Sequence, residues 1–132
     1  MSRFEIEALR QDADPGPVTM LNLVKFRDKA ADGKGSGRKA YSRYVKAAEK
    51  LVRGRGGAIL WAGIIDGVAL SDETDTDWDW GLLVYYPSRE AFLEMVTSEE
   101  YAEANRHREN GVEKHIILAS STVRLEPIPS PS

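Results

Sequence analysis

Cysteine is absent from the 132 residues, so neither a disulfide framework nor a thiolate metal site can hold this chain together. Histidine is scarce: His107 and His115 are the two present, and two lone histidines without ligand spacing around them do not make a zinc site. No serine or cysteine nucleophile motif occurs. Long apolar runs are missing as well. The longest extends from Ala58 to Ile65 with Gly63 inside it, far short of the roughly 20 residues that cross a bilayer. The N-terminus, Met1-Ser2-Arg3-Phe4-Glu5-Ile6-Glu7, carries acidic residues where a signal peptide needs an apolar core. The expectation is a cytoplasmic protein with no metal, no cofactor and no membrane partner.

What is present is the composition of a globular domain. Apolar residues at 42% and charged residues at 30% leave enough of each to fill one core and cover it, and the length suits a single domain. The net charge of −3 hides an uneven distribution, with eleven of the 18 basic residues lying between Lys25 and Arg55, opposed by Asp28, Asp32 and Glu49. Such a segment could be an electrostatic footprint for nucleic acid. No nucleic-acid motif accompanies it, and it reads as a solvated helix face.

Two motif-like spacings fail in detail. Gly33, Gly35 and Gly37 follow a strand and precede a helix, but no Gly-Lys-Ser/Thr ending follows, and Arg38 stands where a dinucleotide fingerprint needs its third glycine. The segment 27–37 is expected to be a mobile surface loop. Asp75, Asp77 and Asp79 alternate like the start of a calcium loop. Trp80 then stands in place of the obligatory glycine and Tyr86 in place of the bidentate glutamate, so a solvated hairpin loop is expected.

The organising stretch is Pro17-Val18-Thr19-Met20-Leu21-Asn22-Leu23-Val24-Lys25-Phe26, a strand apolar on both faces with one amide at its centre. Before it, residues 3–11 suggest a short amphipathic helix that Pro15, Gly16 and Pro17 terminate. After it, Tyr41, Tyr44, Val45, Ala48, Leu51 and Val52 recur at helical spacing over 38–54. Strands are predicted over Ala58–Ile65, Trp78–Tyr86 and Val112–Leu125. Ser88 offers an N-cap for a helix carrying Phe92 and Met95. Thr97-Ser98-Glu99-Glu100 has capping-box spacing and restarts the helix, putting Tyr101, Ala104, Asn105 and Arg108 on one side. The tail from Pro127 to Ser132 is expected to be disordered. The domain plan is an N-terminal helix and linker (1–16), one folded domain (17–125) and the tail (126–132).

Strand, helix, strand, strand, helix, strand is the ferredoxin-like α+β pattern, a four-stranded antiparallel sheet with helices on one face. In that topology Asn22 lies between the strand of Trp80 and the strand of His115. Two main helices cover one face, yet strands one and three are apolar on both. A second copy packed against the uncovered face is the simplest remedy, so a homodimer is expected.

The chain resembles the domain-of-unknown-function family 1330, within the dimeric α+β barrel superfamily. The matching residues are Met20-Leu21-Asn22-Leu23, Phe26, Tyr41, Gly57, Trp61 and Gly63, then Tyr86-Pro87-Ser88-Arg89-Glu90-Ala91-Phe92, Tyr101 and Arg108. They extend over about residues 17–124, and the run from Tyr86 to Phe92 is the most specific. The resemblance implies the fold and the dimeric barrel, but no established activity. The wider superfamily includes cofactor-independent monooxygenases and haem-degrading enzymes with an Asn–Trp–His set. Those residue types occur here as Asn22, Trp80 and His107, with the histidine much further beyond the tryptophan, so haem chemistry fits poorly.

The candidate site is a small-molecule pocket near Asn22, Trp80 and Arg108. Asn22 needs a partner, because an unpaired buried amide costs about 1–3 kcal/mol. Arg108 could clamp a carboxylate, with the Tyr101 hydroxyl two turns away as a second donor. Tyr41, Trp61 and Trp80 could line an aromatic pocket between sheet and helices or within the dimer barrel. The functional expectation is binding of a small aromatic or carboxylated metabolite. The alternatives are a monooxygenase-like enzyme and a purely structural or interaction dimer.

Overall fold

A computed structural model describes residues 4–11, 15–72 and 75–130. Parts of four expectations lie outside the described residues: Arg3 of the first helix, 12–14 of the linker, Glu73 and Thr74 of the acidic loop, and 131–132 of the tail. The elements follow in the order α1 (Ile6–Gln11), β1 (Val18–Phe26), α2 (Gly37–Gly54), β2 (Ala58–Ile64), β3 (Trp80–Tyr86), α3 (Arg89–Val96), α4 (Glu99–Gly111) and β4 (Val112–Ser120). The strands form one antiparallel sheet in the order β2-β3-β1-β4. This is the expected ferredoxin-like α+β arrangement, with β1 central.

Local chemistry sets the helix ends. Ser36, Ser88 and Ser98 are the N-caps of α2, α3 and α4, each side-chain oxygen accepting a backbone N–H three residues on, from Lys39, Ala91 and Tyr101 respectively. The restart into α4 is thus capped by Ser98, one residue later than the Thr97 capping box. Thr97 instead closes α3, its hydroxyl donating to the Leu93 carbonyl.

The core lies between the helices and one face of the sheet. Met20, Val24 and Phe26 of β1, Leu82 and Val84 of β3, and Tyr41, Phe92, Met95 and Tyr101 of the helices are all buried. The other face carries Leu21, Leu23, Leu83, Tyr85, Ile116 and Leu118, and here the side chains are half-buried or exposed, Leu118 at 55%. In β2 the pairing slips between Ile59, opposite Val84, and Trp61, opposite Leu83. One extra residue at this bulge moves every later side chain to the other face. Trp61 therefore leaves Ile59 on the helix side and lies on the open face, where its ring roofs Gly63 and Gly81.

Strand β4 stops at Ser120, short of the expected Leu125. Its partner is β1, and the register runs out at Thr19 opposite Ser120, so the later residues have no ladder to join. Residues 121–130 are exposed and form neither helix nor strand. The acidic loop is more than solvated. Asp77 and Asp79 pair with Lys25, Asp75 pairs with Lys114, and the Asp79 carboxylate accepts the Phe26 N–H at 2.8 Å. The 27–37 loop is tied too, by a bridge between Lys29 and Ser36 and by a bond from the Arg27 N–H to the Gly111 carbonyl at 2.9 Å.

Helices α2 and α4 pack side by side, and the start of α2 meets the end of α4 through Gly37 and Gly111. A Cβ on Gly111 would overlap the Gly37 carbonyl oxygen and come within 2.8 Å of the Tyr41 nitrogen, whereas one on Gly54 would meet nothing. Gly111→Ala is expected to cost about 1–3 kcal/mol by overpacking. Gly54→Ala should be neutral or stabilising by up to about 1 kcal/mol through helix propensity. Urea denaturation of the two variants checks the pair, and equal effects would mean that this contact can yield.

Candidate functional site

Three elements bring a chain of polar side chains into the core. Helix α4 carries Arg108, seven residues after Tyr101 and hence on the same side two turns later; Arg108 is 4% exposed and so is no surface ion-pairing residue. Strand β4 carries His115 opposite Val24, on the helix side of the sheet. Strand β1 carries Asn22, two residues before Val24 and on the same face.

Arg108 donates from Nε to Asn105 Oδ1 at 2.6 Å, and its NH1 nitrogen lies 3.2 Å from His115 Nδ1. His115 Nε2 lies 2.8 Å from Asn22 Oδ1, and Asn22 Nδ2 donates to the Met20 carbonyl at 3.2 Å. A guanidinium can only donate. His115 Nδ1 must therefore accept, the ring proton sits on Nε2, and that N–H donates to Asn22. Arginine thus dictates the histidine tautomer, and the tautomer dictates the amide orientation.

The same environment removes the histidine's charge. Burial pushes the imidazole from 6.5 down to about 3, and the Arg108 guanidinium adds to the shift. Burial raises the phenols of Tyr41, Tyr44 and Tyr101 as well, and the Tyr44 and Tyr101 hydroxyls share a 2.7 Å hydrogen bond. A neutral histidine with both ring nitrogens engaged is not set up as a general base. It orients its neighbours.

Beside this chain lies a cavity of about 210 Å³ lined by Phe4, Glu5, Ala8, Leu9, Met20, Phe92, Arg108, His115, Ile117 and Ala119. Its charged lining is Glu5, which is exposed, and the buried Arg108; with neutral His115 as the third polar group, the rest of the chamber is apolar. A smaller space of about 40 Å³ lies deeper and reaches Asn22, Tyr41, Tyr44 and Tyr101.

Of the residues singled out from sequence, Asn22, Tyr41 and Arg108 come together around His115, and Tyr101 lines the inner space with Asn22 and Tyr41. Trp80 stands at their edge, its ring edge-on to Phe26 at 5.0 Å and to Tyr41 at 5.9 Å, and it lines neither space. Trp61, 47% exposed on the opposite face, is separated from the group by the sheet. None of the cavity's lining residues lies on the open face, so the pocket is between sheet and helices and not in the space a second copy would enclose. Sequence reasoning named His115 and put its strand beside Asn22, but left it out of the candidate site. It also passed over Phe4, Phe92 and Ile117, since nothing in their local pattern separates cavity lining from core.

The sheet order and the helices place the chain among proteins of ferredoxin-like fold. More particularly, it belongs to the family described as "Domain of unknown function (DUF1330)", which matches residues 34–122. RPA0582, a protein of unknown function from Rhodopseudomonas palustris, is 32% identical over 96% of this chain and 97% of its own, with a TM-score of 0.81. A dimeric protein of unknown function from Bacteroides fragilis is 16% identical over 81% of this chain and 97% of its own, with a TM-score of 0.56. Hydroxynitrile lyase from Passiflora edulis is 16% identical over 86% of this chain and the whole of its own, with a TM-score of 0.61. The last two likenesses concern the fold alone. No curated protein matches the chain.

A depressed histidine pKa makes stability depend on pH with a definite sign. The unfolded chain takes up a proton on His115 below pH 6.5, whereas the folded protein takes it up only near pH 3. The contribution is complete above 6.5 and is lost as the pH falls, at up to about 1.4 kcal/mol per pH unit. Glutamine at this position can still accept from Arg108 and donate to Asn22 but does not titrate. Urea unfolding at pH 7, 6 and 5 should therefore show wild type losing stability relative to His115→Gln; parallel profiles would mean that His115 is solvated.

Proposed function

We propose that the protein binds a small, largely apolar carboxylate in the chamber beneath α1, with the carboxylate on Arg108. The observation that carries this reading is a buried guanidinium forming one wall of a largely apolar cavity, with Asn105 and His115 among the groups that orient it. Its charge attracts an anion in a setting where water screens little, and its planar fork suits two carboxylate oxygens. The apolar lining sets the rest of the ligand. A volume of about 210 Å³ is smaller than the roughly 300–1,000 Å³ of drug-sized sites, which suits a metabolite the size of a single-ring or branched aliphatic acid. Binding is favoured over catalysis because the histidine in the wall is neutral and fully engaged.

The test compares an acid with its amide. Benzoate at 100 times its dissociation constant should stabilise the protein by about 2.7 kcal/mol, seen as a rise in melting temperature. Benzamide, of the same shape without the charge, should give no comparable rise, and Arg108→Gln should abolish the benzoate effect. Equal shifts from both compounds would remove Arg108 from the reading.

The open face supports the second half of the proposal, a homodimer packed sheet to sheet. Leu21, Leu23, Leu83, Tyr85, Ile116, Leu118 and Trp61 form a contiguous apolar surface of the kind that soluble monomers seldom leave in water. The Bacteroides fragilis protein of the same fold is described as dimeric. In this arrangement the partner lies across the sheet from the ligand chamber. Light scattering at micromolar concentration should give twice the 14.7 kDa chain mass, and Leu118→Asp should halve it while leaving the circular dichroism spectrum intact. A monomeric wild type would end this reading.

A further inference from the structure

Phe4 is half-buried and stands just ahead of α1, and it lines both the outer chamber and the smaller inner space. Its ring meets Phe92 edge-on at 6.1 Å and Tyr101 at 5.7 Å, and the Arg108 guanidinium carbon stands over it at 5.4 Å. Two aromatic walls and a cation are the surroundings that the ring of an aromatic acid would seek. The ring filling them belongs to the chain itself.

The element that delivers Phe4 is well suited to withdraw. Helix α1 has six residues, too few to be stable by hydrogen bonding alone. Phe4, Ile6 and Leu9 are the side chains that pack it against the core. Other residues that line both spaces, such as Met20 and Phe92, are fixed on β1 and α3 and have no such freedom. Behind Phe4 lie groups the outer chamber does not reach, among them Asn22 and the hydrogen-bonded hydroxyls of Tyr44 and Tyr101.

We infer that Phe4 is a gate occupying the slot meant for a ligand's ring, and that the site is built for an aromatic carboxylate longer than one ring, which enters when α1 lifts. This rests on the carboxylate reading above. With Phe4 in place the outer chamber takes a single-ring acid against Arg108. With Phe4 withdrawn the two spaces join, the ligand's inner ring takes the Phe4 position between Phe92 and Tyr101, and its carboxylate remains on Arg108. Size selectivity is thereby set by a residue outside the sheet and the three longer helices.

Calorimetric titration of benzoate and 2-naphthoate into wild type, Phe4→Leu and Phe4→Ala decides the matter. Phe4→Ala should bind 2-naphthoate at least about tenfold more tightly than wild type, with Phe4→Leu between them, and the preference for 2-naphthoate over benzoate should rise in the same order. Melting curves of both variants establish that they are folded. If 2-naphthoate binds Phe4→Ala no more tightly than wild type while benzoate binds all three proteins, Phe4 is a fixed wall and the gate is overturned while the carboxylate site survives. If neither acid binds any of the three, both the gate and the site are overturned.

Discussion

The structure around the chamber depends on one property of arginine: it cannot accept a hydrogen bond. Arg108 on α4 donates to His115 on β4, which must then donate to Asn22 on β1, whose amide donates to its own strand at Met20. Four groups on three elements are oriented by a single choice at one end. Any of them left unpaired in the core would cost about 1–3 kcal/mol, so the bonds specify how α4 sits on the sheet as well as stabilising it. The half-buried His115 remains neutral, through burial first and the nearby guanidinium second.

Around that chain the two faces of the sheet have separate tasks. The covered face holds the core, the polar chain and the chamber. The open face is apolar, carries the Trp61 ring over a pair of glycines, and supports packing against a second copy. The ends of the sheet are secured by different means. At the end near Phe26, aspartates of the 75–79 segment reach Lys25, Lys114 and the Phe26 backbone. The α2 and α4 helices touch there through Gly37 and Gly111, an approach that a single methyl group would block. These contacts hold β1, β4 and α4 in register, and Arg108, His115 and Asn22 sit on those three elements.

Most of the architecture was legible in the chain. The two-faced apolar alternation of β1, the 3.6-residue recurrence of Tyr41, Tyr44, Ala48 and Val52, and the N-cap at Ser88 are local signals of local structure. Asn22 stood out as an amide among apolar neighbours, and Arg108 as a cation two turns from Tyr101 on the same side of a helix. Trp61 did not follow its alternation, because a bulge inserts one residue into a strand without marking the sequence. His115 looked like an ordinary strand residue until β4 was laid beside β1. Phe4 looked like the apolar side of a terminal appendage.

The sequence by itself determined which segments become helix and strand, their ferredoxin-like order, the excess of apolar surface on the sheet, and the absence of thiol chemistry. These follow from composition and from periods of two and 3.6 residues, which each segment carries independently of the others. Only the tertiary structure decided that Arg108, His115 and Asn22 form a one-way hydrogen-bond chain, that Phe4 closes the space beside it, and that Trp61 faces away. Those outcomes turn on the register between strands and on the direction of individual donors, quantities defined between segments distant in the chain.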